Sequence, residues 1–174
     1  QMLTFARKDR AEKQPLDMHA FIKEAYKLAH AALPENISFQ LNYPTDGDHI
    51  WISGDVTQLQ QVLLNLITNS SHAVKDVEKP EIALELDHEP PSIDLLGQNL
   101  DVHSDSGWCR ICCIDNGCGM NEQTLDHIFD PFFTTKGVGE GTGLGLAMVH
   151  GSIQNHHGII DVESTPGRGT TISI

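Results

Sequence analysis

Basic residues are scarce in this sequence. Eleven Lys and Arg stand against 24 Asp and Glu in 174 residues, a formal net charge of −13. A nonspecific nucleic-acid surface needs clustered cations, so no nucleic-acid partner is expected. Long apolar runs are missing as well, and nothing approaches the ~18 residues of a membrane span. Residues 1–8 lack the apolar segment of a secretory signal peptide. Four cysteines are too few for a disulfide scaffold at this length. A reducing, cytoplasmic setting is the expectation.

What is present suits one domain, with 39% hydrophobic residues to build a core. Pro15 precedes a helical pattern over residues 16–33, with Asp17 as N-cap and Pro34 as stop. Residues 37–43 alternate as a half-buried strand. A turn at Asp46-Gly47-Asp48 and a short strand at 49–52 predict a hairpin. Asp55 opens a long amphipathic helix reaching about Val77, which Pro80 ends. Strands follow at 81–86 and 108–115, separated by a polar loop containing Pro90-Pro91. A short helix at 122–129, a helix at 144–156 and a hairpin at 158–174 complete the order. This order predicts an α+β layered domain, a mixed sheet with helices on one face.

Nine of the fifteen glycines fall into three clusters. They are Gly117 and Gly119, the alternate residues from Gly137 to Gly145, and Gly167 with Gly169. The middle cluster runs into the helix beginning near Leu144, and a helix N-terminus behind a glycine loop is a ready phosphate site. A flexible linker is the alternative. The common phosphate loops do not fit. No glycine is followed by Lys-Ser or Lys-Thr, as a P-loop requires. The third glycine of the dinucleotide and protein-kinase loops is replaced by Thr142, Leu144, Leu146 or Met148, wherever the count starts.

Gln58, Gln61, Asn65, Asn69 and His72 make one polar stripe on the long helix. A solvent-facing stripe normally carries Lys and Glu, whereas amide oxygens suit a hard cation such as Mg²⁺ that bridges to phosphates. A third feature, Asp115-Asn116-Gly117-Cys118-Gly119, ends the central strand. A carboxylate there can accept from an exocyclic amine such as that of adenine. An ordinary Asx-Gly turn is the competing reading.

Five blocks occur in a fixed order. They are Asn65-Leu66-Ile67-Thr68-Asn69, Asp115-Asn116-Gly117-Cys118-Gly119, Phe129-Asp130-Pro131-Phe132-Phe133-Thr134-Thr135-Lys136, Gly139-Glu140-Gly141-Thr142-Gly143-Leu144-Gly145-Leu146 and Gly167-Arg168-Gly169-Thr170. Together they resemble the catalytic, ATP-binding domain of bacterial sensor histidine kinases of the nitrogen-regulation type. The wider group is the gyrase, Hsp90, histidine kinase and MutL superfamily. The resemblance covers about residues 55–174. It implies a Bergerat-type two-layer sandwich with a mobile ATP lid, and ATP and Mg²⁺ as cofactors. Carried over, Asn69 matches the Mg²⁺-binding asparagine and Asn65 its partner one turn earlier. Asp115 matches the adenine-binding aspartate, with Gly117 and Gly119 shaping the pocket. Residues 132–142 match the lid, and Lys136 is expected to reach phosphate. The run through Gly139, Gly141, Thr142, Gly143, Leu144 and Gly145 matches the phosphate cradle, and Thr170 the threonine near the adenine.

Two departures stand out. His72 occupies a position where many members carry Lys, and its phosphate contact would weaken as the imidazole loses its proton. Ser70 replaces the usual Ala, a change expected to be harmless. The phosphoacceptor histidine of the family is usually followed by Glu or Asp. Among ten histidines only His88 precedes an acid, inside the Pro-rich loop, so no catalytic histidine is expected in the chain. Residues 1–14 resemble the tail of the preceding dimerisation and phosphoacceptor helix, and 15–174 the catalytic domain of a larger kinase, whose membrane attachment stays open. Its implied partners are that helical domain, in a homodimer, and a response regulator.

A stand-alone ATPase or conformational clamp of the superfamily is the alternative. Those enzymes place a catalytic Glu where Asn65 stands, which counts against it. A degenerate docking module is a third reading, opposed by the intact Asn69 and Asp115. Cys109-x-x-Cys112 has zinc-ligand spacing, but a strand points the two to opposite faces, so the cysteines read as small core residues. His156-His157 reads as a helix end.

Overall fold

The computed structural model describes residues 12–45, 49–88, 108–135 and 141–174. The turn expected at 46–48, the loop at 89–106 and the positions of Lys136 and Gly139 lie outside them, as do residues 1–11. In chain order the elements are β1 (Gln14–Asp17), α1 (Met18–Ala32), β2 (Ser38–Asn42), β3 (Trp51–Gly54), α2 (Val56–Ala73), β4 (Glu81–Asp87) and β5 (Arg110–Asp115). They continue with α3 (Glu122–Leu125), α4 (Gly145–Asn155), β6 (Asp161–Thr165) and β7 (Gly169–Ser173).

Two aspartates start the long helices. The carboxylate of Asp17 accepts from the amides of His19 and Ala20, and that of Asp55 from Thr57 and Gln58. Each satisfies donors that a helix start leaves orphaned. Helical spacing then buries Met18, Phe21 and Ile22 from α1 and Val62, Leu63 and Leu66 from α2. Strand alternation brings Ile82, Leu84 and Leu86 of β4 into the same core, and Val149 and Ile153 anchor α4 there. The result is the expected two-layer arrangement.

The main sheet has the order β2-β4-β5-β7-β6, so β5 is central. β2 and β4 are parallel and the other pairs antiparallel, which makes the sheet mixed. A separate two-stranded ribbon pairs β1 with β3, Leu16 opposite Ile52. Cys113 faces the core, while Cys112 on the other face of β5 lies 3.3 Å from Ser173 Oγ. Cys109 packs against the core, and burial pushes the thiols of Cys109 and Cys113 up to about 12.

Several expectations require correction. The hairpin of residues 37–43 with 49–52 does not form. β2 instead runs parallel to β4, Phe39 opposite Ile82, and a parallel pair needs a long crossover, which α2 provides. β3 turns to β1, so Leu16 joins a strand and α1 begins at Met18. α2 ends at Ala73 rather than near Val77, because the Cys118 amide takes the Ala73 carbonyl at 3.0 Å. α3 stops at Leu125 rather than 129, and the chain continues in turns, with the Asp130 amide on the His127 carbonyl.

Candidate nucleotide site

The site begins at the end of the central strand. Asp115 closes β5 opposite Thr170 of β7 and is only 8% exposed. The Ser70 hydroxyl, from α2, donates to its Oδ2 at 2.9 Å, and the Gly117 amide donates to its Oδ1 at 2.9 Å. Burial pushes the Asp115 carboxyl above its ordinary value, while the amides of Gly117 and Thr170 and the Ser70 hydroxyl pull it back. A carboxylate offers about four acceptor sites, so capacity remains for one further donor. An exocyclic amine meets that requirement.

The loop after Asp115 is clamped on both sides. Towards α2, a Cβ at Gly117 would lie 2.7 Å from Ala73. Towards the β6–β7 hairpin, Gly119 has a φ of +64°, and a side chain there would run into the Thr165 carbonyl. Only glycine holds that conformation at that distance. The Gly167 amide donates to the Cys118 carbonyl at 2.7 Å, and the Thr170 hydroxyl lies 2.8 Å from Ser164 Oγ.

α4 packs antiparallel to α2 and is pinned at both ends. At one end His156, the C-cap of α4, donates from Nδ1 to the Ser152 carbonyl and accepts the Asp55 amide at Nε2, 2.9 Å away. At the other, Asn65 Nδ2 donates to the Gly145 carbonyl at 3.4 Å. A Cβ on Gly145 would lie 3.8 Å from Asn69 Nδ2 and 3.9 Å from Asn65 Cγ. The first turn of α4 therefore opens beside the asparagine pair. Its N-cap, Leu144, makes no side-chain capping bond among the described residues, and a helix start of this kind can take an anion on its first-turn amides. Gly143, at φ +66°, accepts the Phe132 amide at 2.8 Å and ties the cradle to residues 132–135.

Two groups of expected residues are thus assembled. Asn65, Asn69, Leu144 and Gly145 form one; Asp115, Gly117, Gly119 and Thr170 form the other. Asn69 and Ser70 are consecutive on α2, so one helical turn serves both. His72 lies exposed in the last turn of α2, and Gly141 and Thr142 are exposed at the start of the described cradle. Gln61 Nε2 donates to Asn65 Oδ1 at 3.2 Å. Among the described residues, Gln58 Oε1 on the same stripe is the one buried side-chain polar atom without a partner. The sequence singles out Ser70 only as a harmless departure from the usual Ala. Its bond to Asp115 was not part of that expectation, because the partner lies on another element.

A sheet end bearing a buried acid, beside a helix start flanked by amides, defines a nucleotide-binding domain. Residues 54–174 match the family described as histidine kinase-, DNA gyrase B-, and HSP90-like ATPase, and the chain belongs to that family. It is 33% identical over 170 residues to the sensory histidine kinase/phosphatase NtrB of Rhizobium leguminosarum, covering 97% of this chain and 43% of that protein. It is 31% identical over 175 residues to the sensor kinase CckA of Brucella abortus, covering 100% of this chain and 18% of that protein. The chain therefore spans less than half the length of these relatives. Among solved structures, the catalytic domain of histidine kinase ThkA superimposes with a TM-score of 0.68 at 26% identity, covering 93% of each chain. Membership of an ATPase family implies ATP binding. No helix among the described residues is long and apolar enough to cross a membrane.

Proposed function

We propose that this chain is the Mg²⁺–ATP-binding catalytic domain of a two-component sensor histidine kinase, passing the γ-phosphoryl group to a histidine on a separate helical domain. The observation that carries the reading is the buried Asp115 carboxylate, held by Ser70 and Gly117 with acceptor capacity to spare. Asp115 accepts the adenine amine, and a base without that amine leaves the acid unsatisfied. Gly117, Gly119 and Thr170 shape the pocket around it. Asn69, with Asn65, offers neutral amide oxygens to a Mg²⁺ ion that keeps several waters and bridges to phosphates. In this reading the first-turn amides of α4 take the phosphate charge. Gly139, Gly141, Thr142, Gly143, Leu144 and Gly145, with Lys136 and His72, are the further residues proposed to serve the phosphates.

Phosphoryl transfer asks little covalent chemistry of a protein; positioning and charge stabilisation do most of it. Asn65 carries no basic carboxylate at the position where the related ATPases place their Glu, which favours a histidine nucleophile over water. Residues 15–174 form the catalytic domain in this reading, and residues 1–14 the tail of the preceding helix. Two structural neighbours support the wider picture: ShkA was solved at full length in complex with AMPPNP, and ThkA in complex with the response regulator TrrA. The partners proposed here are a helical phosphoacceptor domain in a homodimeric parent and a response regulator, on the cytoplasmic side.

The test supplies labelled ATP, Mg²⁺ and a helical histidine phosphoacceptor domain in trans. The expected product is acid-labile, alkali-stable label on that domain, with little ADP when it is omitted. Brisk hydrolysis without it, abolished by Asn69→Ala, would place the chain with the stand-alone ATPases instead.

A further inference from the structure

We propose that Asp17, His19 and His49 form a binding site for one divalent first-row metal ion of the zinc type. Each offers one ligand atom, and the three atoms lie within 4.8 Å of one another. His49 Nδ1 is 2.7 Å from Asp17 Oδ2, and His19 Nδ1 is 4.0 Å from Asp17 Oδ1. Ligands about 2.0–2.2 Å from a tetrahedral ion sit roughly 3.2–3.5 Å apart, between those two separations. Two nitrogens and a carboxylate oxygen suit zinc and its neighbours better than Mg²⁺ or Ca²⁺. A fourth position is left for water.

Two of the three ligands are already oriented as metal ligands usually are. His19 is 8% exposed, and its Nε2–H donates to the Pro44 carbonyl at 3.0 Å. That bond fixes the tautomer and leaves a lone pair on Nδ1, the same backbone support that ligating histidines commonly receive. Asp17 Oδ1 is held by the amides of His19 and Ala20, while Oδ2 is turned to His49. His49 has a side chain 63% exposed and is free to adjust. The Met18 amide donates to the Ile50 carbonyl at 2.8 Å, which locks the two ligand-bearing segments together.

Binding displaces two existing contacts. The Ile50 amide, 3.3 Å from His19 Nδ1, loses its acceptor, and the proton that His49 Nδ1 shares with Asp17 leaves that nitrogen. The ion is therefore exchangeable with a chelator rather than retained as a permanent structural element. None of the three residues belongs to the nucleotide site, so the outcome is independent of the proposed kinase function.

The test is calorimetric titration of the chelator-treated chain with zinc, repeated with Co²⁺ and read by visible absorption. One site of micromolar or tighter affinity is expected, with the intense visible bands of tetrahedral Co²⁺. His49→Ala, at an exposed position, and Asp17→Asn, which keeps a capping oxygen, should each weaken binding at least tenfold while circular dichroism stays unchanged. His127→Ala, which removes the exposed pair of His127 with Asp130, should leave the affinity intact. Equal zinc affinity and stoichiometry in the wild type and His49→Ala would overturn the proposal. So would absence of binding to the folded wild type at micromolar zinc.

Discussion

Ser70 Oγ on α2 donates to Oδ2 of Asp115 on β5 at 2.9 Å, and both side chains are buried. The same hydroxyl lies 3.5 Å from the thiol of Cys113, two residues earlier on that strand. The bond joins the helix carrying Asn65 and Asn69 to the strand end carrying the proposed adenine acceptor. The orientation of the acid thus depends on the register of the helix beside it, which would couple the proposed base recognition to the proposed metal and phosphate half of the site.

Removing that donor should weaken the site without unfolding it. Ser70→Ala leaves Asp115 with amide donors alone, and a hydrogen bond to a charged group is worth about 1.5–3 kcal/mol. We expect ATP affinity to fall roughly tenfold or more by that argument. Burial already raises the Asp115 pKa. In the wild type, affinity should therefore decline on acidification at a higher pH than an ordinary carboxylate would give, and Ser70→Ala should move the decline higher still. Calorimetry across a pH series reads both effects. Identical curves for the two proteins would remove Ser70 from the account.

The same raised pKa carries a stability consequence. A carboxyl whose folded pKa exceeds its unfolded value contributes stability that is present below the unfolded value and is lost as pH rises through the folded one. At neutral pH the charge on Asp115 is thus a liability to the fold. Asp115→Asn keeps an oxygen for the Gly117 amide and turns a donor to Ser70 Oγ, whose hydroxyl can rotate to accept. Its melting temperature at pH 7 should equal or exceed that of the wild type. A large drop would show that the charge supports the fold.

Asp55 behaves in the opposite sense. Its carboxyl is held below the ordinary value, chiefly by the Gln58 amide, with help from the amides of Glu12 and Thr57. That contribution is present above the unfolded pKa and lost as pH falls through the folded one. Asp55→Ala should cost about 1 kcal/mol at pH 7 as a lost helix cap, and less at pH 3. Urea denaturation at the two pH values reads the difference; an equal deficit at both would contradict it.

How far these features could be read beforehand follows from their range. Asp17 and Asp55 announce helix starts within two or three residues of themselves, and the alternation of Ile82, Leu84 and Leu86 assigns a buried face locally. The pairing of Ser38 with Glu81, or of Leu16 with Ile52, depends on partners far along the chain and on burial from all sides. A short turn signal at 46–48 therefore pointed to the wrong neighbour. Asn65, Asn69 and Asp115 could be picked out as candidates because amides on a largely buried helix are an unusual choice and the acid ends the central strand before glycines. The role of Ser70 could not. A small hydroxyl inside an apolar face carries no period, and its partner lies on another element.

Asn69→Ala tests the metal half by itself. Adding Mg²⁺ should raise the ATP affinity of the wild type several-fold but leave that of the variant nearly unchanged, while metal-free affinity stays similar in both. An undiminished Mg²⁺ effect in the variant would move the ion away from the asparagine pair.

The most direct measurement of the central claim is the affinity of Mg²⁺–AMPPNP for the wild type and for Asp115→Asn, titrated side by side on folded protein. A buried acceptor matched to the adenine amine predicts saturable one-to-one binding by the wild type. It also predicts at least tenfold weaker binding by the variant, since an amide donor facing an amine leaves both groups unpaired at about 1–3 kcal/mol. Equal affinities in the two proteins, or no binding by the folded wild type, would contradict the assignment of Asp115 as the residue that reads the base.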